Sequence, residues 1–115
     1  MRYGNRLFFH HRIYDLDGTD TLFVRAMAAN IRHHQASCPE YAAILEDRAF
    51  SPDALHTIDD LVAIPPLPTF FLKRHTLYSV THRRLLMRAT TSGTSGQTSE
   101  IGLDLSSAWH CLGML

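Results

Sequence analysis

Between Thr90 and Ser99 the chain reads Thr90-Thr91-Ser92-Gly93-Thr94-Ser95-Gly96-Gln97-Thr98-Ser99, with five hydroxyl side chains before Gln97, two glycines and no apolar residue. Such a run adds nothing to a core, but its residue types suit one kind of chemistry. Glycines let a backbone turn with positive φ and approach a ligand closely, successive N–H groups converge on an anion, and hydroxyls add donors around its oxygens. Phosphate is the anion that best matches so many donors. Spacing separates the phosphate-loop classes. A Walker loop needs four residues between its glycines and then Lys-Ser/Thr, whereas Gly93 and Gly96 are three apart and Gln97 follows. A dinucleotide fingerprint fails because Thr91 stands two residues before Gly93, and a hydrolase elbow fails because Gly96 directly follows Ser95. The bland alternative is a solvated surface hairpin, or a small non-catalytic module that binds an anion or a partner.

The flanks of this run predict strands. Leu85-Leu86-Met87-Arg88-Ala89 is short and apolar, and Ile101, Leu103 and Leu105 alternate with Glu100, Gly102 and Asp104, so a strand-loop-strand hairpin is expected over about 85–105 with one buried face. Ser106 then reads as the cap of a further helix bearing Trp109 and Leu112. Upstream, a helical segment is expected over about 20–62. Asp20 caps a first helix to about residue 35, with Phe23, Met27 and Ile31 on its apolar face. Ser37-Cys38-Pro39-Glu40 reads as a capping box for a second, with Tyr41, Ile44 and Leu45 buried. Ser51-Pro52 starts a short helix and Thr57 to Val62 one more turn. Pro65, Pro66 and Pro68 then force an extended, buried crossing from Ile64 to Lys73. The fold class is therefore α/β.

Composition bounds the function. A length of 115 residues is about one domain, and 45% apolar residues with 11 aromatics exclude disorder. The longest apolar runs fall far short of the roughly 20 residues a bilayer demands, and no secretory signal is visible, so a cytoplasmic protein is expected. Eleven cations cancel eleven anions, a poor basis for general nucleic-acid binding. The cancellation hides a gradient: residues 1–60 hold six Arg against nine acids, residues 61–115 five Lys/Arg against two. An anion site belongs in the second half. Cys38 and Cys111 are too few for a disulfide scaffold, and both read as packing residues. Neither His10-His11 nor His33-His34 has the spacing of a metal site, so both pairs read as surface residues near helix ends.

The run Thr91-Ser92-Gly93-Thr94-Ser95-Gly96 resembles the phosphate-binding loop of the adenylate-forming superfamily of acid ligases. Cys38-Pro39-Glu40-Tyr41, Asp59-Asp60-Leu61 leading to Ile64-Pro65, and Pro68-Thr69-Phe70-Phe71-Leu72-Lys73 ahead of the loop are similar in order to phenylacetate-coenzyme A ligases and, more closely, to acyl-protein synthetases of the LuxE type. The resemblance implies that residues 1–115 are a truncated, incomplete piece of the large N-terminal domain of such a ligase. It implies ATP and Mg2+, with the phosphates held by Thr91, Ser92, Gly93, Thr94, Ser95, Gly96 and Gln97, the last standing where many superfamily members have lysine. A carboxylic acid, fatty in the closest branch, would attack the α-phosphate to give an acyl adenylate. The acyl group would then pass to a thiol, a protein cysteine or coenzyme A, with an acyl reductase as partner. The acceptor cysteine of such synthetases lies in a C-terminal part, so neither thiol here inherits that role, and residues 1–115 alone are expected to be inactive. Lys73 resembles a family lysine near the loop but reads as solvated.

Overall fold

The computed structural model describes residues 2–11, 16–91, 96 and 98–114, with only the backbone described at 16 and 17. The described residues form five α-helices and one antiparallel hairpin: α1 (Arg2–Phe8), α2 (Leu16–Ser37), α3 (Pro39–Asp47), α4 (Thr69–Arg74), β1 (Leu85–Thr90), β2 (Glu100–Asp104) and α5 (Leu105–Leu112). Three 3₁₀ turns, Pro52–Ala54, Asp59–Ala63 and His82–Arg84, punctuate the connections. The α/β class is met by helices and hairpin together.

The core is small and lies on one side of α2. Val24, Ala28 and Ile31, at i, i+4 and i+7, are buried against Leu45 of α3 and Leu55, with Tyr41, Phe50, Leu61 and Ile64 packed around them. The stripe is offset from the expected Phe23–Met27–Ile31 face. Phe23 is 38% exposed because α2 is covered on two sides, the core taking the 24/28/31 stripe and a cavity the adjacent one. Arg32 ties α2 to the first 3₁₀ turn, its Nε donating to Asp53 at 3.1 Å and its Nη2 at 2.5 Å.

Helix boundaries follow the local chemistry with three corrections. α2 runs back to Leu16, so Asp20 lies within it rather than capping it. Ser37 closes α2, and Cys38 is the N-cap of α3 in extended conformation, with no side-chain cap bond; the expected capping box is absent. The register explains this: with Pro39 at the first helical position the N-cap falls on Cys38, which places Tyr41 rather than Glu40 at N3, where a capping box needs its Glu. Cys38 is buried, its thiol 3.5 Å from Glu40 Oε2. The extended crossing ends early, because Thr69–Arg74 is a helix and Phe70 is exposed. Proline restricts the residue before it, so Pro68, at φ −60 and ψ 139, forms the N-cap and leaves the following residues free to coil.

α3 ends in a Schellman turn: Phe50 N–H donates to Leu45 O and Ala49 N–H to Glu46 O, both at 2.9 Å. Ala49 occupies the left-handed position with φ 48, where glycine is usual. The Asp60 carboxylate accepts from His56 and Thr57 N–H at 2.9 and 2.7 Å, and these bonds hold its pKa below the usual carboxylate range.

Two stability predictions follow. Ala49→Gly, which removes the left-handed strain and leaves both turn bonds, should raise stability by about 1 kcal/mol in urea unfolding. Leu45→Ala, at a fully buried centre of the cluster, should lower it by roughly 2–5 kcal/mol.

Candidate functional site

The hairpin presents the hydroxyl- and glycine-rich run between its two strands. β1 and β2 pair with Met87 opposite Leu103, Ala89 opposite Ile101 and Thr90 opposite Glu100, with a bulge between Leu85 and Met87. Beyond the last ladder pair, Thr91 N–H donates to Ser99 O, and Ser99 N–H donates to Thr91 Oγ1, both at 3.0 Å. The Thr91 side chain therefore holds the two ends of the run together. Gly96 has φ 77, a backbone conformation L side chains rarely adopt, in open space with no neighbouring atom within 4 Å of a Cβ position. Glycine is required there by conformation, not by crowding. Ser92, Gly93, Thr94, Ser95 and Gln97 lie outside the described residues.

Charge at the base of the run is balanced. Glu100, the first residue of β2, would oppose an anion, but Arg88 on β1 pairs with it at 3.3 Å. The alternating buried face expected for β2 is not realised: Ile101 is half exposed, and Leu105 is 75% exposed because the chain turns into α5 at that residue. Asp104, not Ser106, caps α5, accepting from Ser107 N–H at 2.8 Å and Ser107 Oγ at 2.7 Å. Those bonds lower the Asp104 pKa, with His33 adding to them.

A cavity of about 620 Å³ lies between α1, α2, residues 77–80, β2 and α5, within the usual size range of small-molecule sites. Phe8, Phe23, Met27, Leu77 and Ile101 supply its apolar wall. His33, His34 and Asp104 supply polar groups that sequence periodicity did not single out. His34 is half buried rather than on the surface. Its Nδ1 lies 2.5 Å from Ser79 Oγ and its ring meets Tyr41 edge-on. Burial lowers its pKa, and His33 beside it adds to the shift. Gly102 lets Tyr78 approach β2 closely, since a Cβ there would stand 2.8 Å from both the Tyr78 ring and the Leu85 side chain. The Tyr78 hydroxyl is buried without a partner at bonding geometry, and that burial, with Glu100 close by, pushes its pKa up.

α1, unexpected from the sequence, closes the cavity against α5. Phe8 stacks on His110 at 4.7 Å, Phe9 lies 5.3 Å from Trp109, and His110 Nε2 is 2.6 Å from Asn5 Oδ1. These contacts link the two ends of the chain. The only signal for α1 was the apolar Leu7-Phe8-Phe9 triplet, too short to define a period. Lys73 is half buried in the last turn of α4. Among the described residues no three His, Cys, Asp or Glu side chains group to hold a metal ion, and no helix is long and apolar enough to cross a membrane.

A model of the LuxE acyl-protein synthetase family matches residues 7–115. The chain belongs to this family. No curated protein sequence matches it. Membership in LuxE assigns the chain, in general terms, to acyl activation and transfer, with an acid as substrate and a thiol as acceptor. The family is ATP-dependent. In this LuxE chain the hydroxyl- and glycine-rich hairpin remains the candidate site, and its second strand lines the half-open cavity through Glu100, Ile101, Gly102 and Asp104.

The depressed His34 pKa means that the folded protein binds this proton less readily than the unfolded chain. Its contribution to stability is present above the unfolded value of about 6.5 and is lost as pH falls through the lower folded value. Urea midpoints measured at pH 7.5 and 5.5 should drop more for the wild type than for His34→Gln.

Proposed function

We propose that this LuxE chain contributes the ATP-phosphate site for adenylation of a carboxylic acid, fatty in the closest branch, as the first half of transfer to a thiol. Thr91, Ser92, Gly93, Thr94, Ser95, Gly96 and Gln97 hold the β- and γ-phosphates, with Mg2+ as counter-ion. The observation that carries this reading is the closure of the hairpin by Thr91 and Ser99 on either side of the run. That closure fixes the ends of a segment rich in donors, so the entropy of ordering them is reduced before a nucleotide arrives. The left-handed Gly96 supports the same reading, because N–H groups turned by such a residue can converge on an anion. The Arg88–Glu100 pair removes the one carboxylate that would repel it at the start of β2.

The residues act by position and charge. Carboxylate oxygen attacks the α-phosphorus, pyrophosphate leaves, and a thiol then displaces AMP from the acyl adenylate. Loop donors steady the departing phosphates during the first step, and none serves as nucleophile or base. An acyl reductase is the partner that would consume the resulting thioester. Cytoplasmic location is consistent with this use of ATP.

The intact gene product bearing these residues should exchange labelled pyrophosphate into ATP only when a carboxylic acid is supplied. Absence of exchange across a panel of fatty and aryl acids overturns the assignment. Thr91→Ala, which removes the acceptor for Ser99 N–H, should weaken Mg-ATP binding by about tenfold, while Thr91→Ser, which keeps the hydroxyl, should stay near the wild type. Gly96→Ala should weaken it similarly through the roughly 1–2 kcal/mol that a left-handed conformation costs an L residue.

A further inference from the structure

Ser79 and His34 form a pair that the adenylation chemistry leaves unused. His34 lies in the last turn of α2, and its Nδ1 is 2.5 Å from Ser79 Oγ across 45 residues of chain. Tyr41 of α3 meets the same ring edge-on, and His33 stands beside it on α2. Both members of the pair line the cavity. Another hydroxyl on that wall, Ser107, is committed to Asp104. Burial weakens proton binding by His34, and His33 adds to the effect, so above pH 7 the ring is neutral and offers a lone pair to the Ser79 hydroxyl.

A serine hydroxyl donating to a neutral imidazole is the arrangement of an activated nucleophile. The surroundings select its substrate. Phe8, Phe23, Met27, Leu77 and Ile101 offer an apolar wall to an acyl chain, in a cavity of about 620 Å³. Among the described residues no Lys or Arg lines that cavity, whereas Glu100 and Asp104 do. A free carboxylate or a phosphate would meet like charge there, and a neutral ester would not. We propose that Ser79 and His34 are the nucleophile and general base of a second activity, hydrolysis of uncharged carboxylic esters whose acyl chain lies against the apolar wall. Ser79 Oγ bonds to the carbonyl carbon as its proton passes to His34 Nδ1, then the ester C–O bond breaks and the alcohol leaves with that proton. Water next attacks the acyl-serine carbonyl and gives a proton to His34, the bond to Ser79 Oγ breaks, and Oγ recovers the proton as the acid departs. Ester and water become acid and alcohol, with no nucleotide or other co-reactant. The pair joins two segments of the described chain, so it rests on neither an exposed edge nor the phosphate reading.

The test incubates the intact gene product with p-nitrophenyl octanoate in the absence of ATP and follows release of p-nitrophenol. Wild type should turn over, S79A should lower kcat/KM by about 1,000-fold, and H34Q should lower it by about 100-fold. A fluorophosphonate probe on the wild type, mapped by peptide mass spectrometry, should place its adduct on Ser79, a readout that needs no variant should S79A fail to fold by circular dichroism. No turnover by the wild type, equal turnover by folded S79A, or an adduct on any other residue overturns the proposal and leaves the contact a structural one. Because nucleotide is absent throughout, failure of the adenylation reading leaves this measurement intact.

Discussion

The burial of Val24, Ala28 and Ile31 of α2 against Leu45 and Leu55 is the contact on which the rest of the chain depends. Each of the larger side chains contributes about 1.5–3 kcal/mol when removed from water, and together they make the one cluster of buried side chains that the described residues contain. α3 is held on that cluster by Leu45, and the Schellman turn after it brings Phe50 back onto the same core. The second face of α2 is then free to form a wall of the cavity. A helix that satisfies its core on one stripe and lines a half-open cavity on the adjacent one leaves the hairpin and α5 at the cavity's far walls, largely exposed.

The hairpin itself is marginal by its own contacts. Two strands alone are rarely stable in water, and here most of their side chains are exposed. Local devices compensate: the Thr91–Ser99 closure at one end, the Arg88–Glu100 pair across the ladder, Tyr78 packed on Gly102, and the Asp104 cap that starts α5 at the other end. These devices hold Thr91 and Ser99, the two ends of the run, beside each other at the end of the ladder.

The hairpin could be read in the sequence because its signal is local. The composition of residues 90–99 and the short apolar runs on either side predict strand-loop-strand with little ambiguity, and the ladder from Leu85 to Asp104 follows them closely. Ser51-Pro52 likewise encodes its turn in two residues, Ser51 accepting from Asp53 N–H at 3.2 Å. Features with non-local causes were not readable. His34 is half buried where Tyr41 and Ser79, the latter 45 residues away, meet it. α1 is stabilised by His110 and Trp109, more than 95 residues away, and its own sequence has too few turns to announce a helix. The apolar stripe of α2 is misjudged by one residue because apolar side chains cover both of its faces, and periodicity alone does not say which face meets the core.

Sequence alone determined the chemical character of this protein: a donor-rich, glycine-bearing loop between two strands, a positive second half, and the order of motifs of an acyl-activating enzyme. Those properties reside in side-chain type and short spacing, which survive without any knowledge of distant contacts. Tertiary structure decided what surrounds the loop. It closed the loop ends through Thr91, paired Glu100 with Arg88, and placed two histidines and Asp104 around a cavity. Burial, pairing and pKa depend on which groups meet in space, and only folding brings residues from the two ends of the chain into contact.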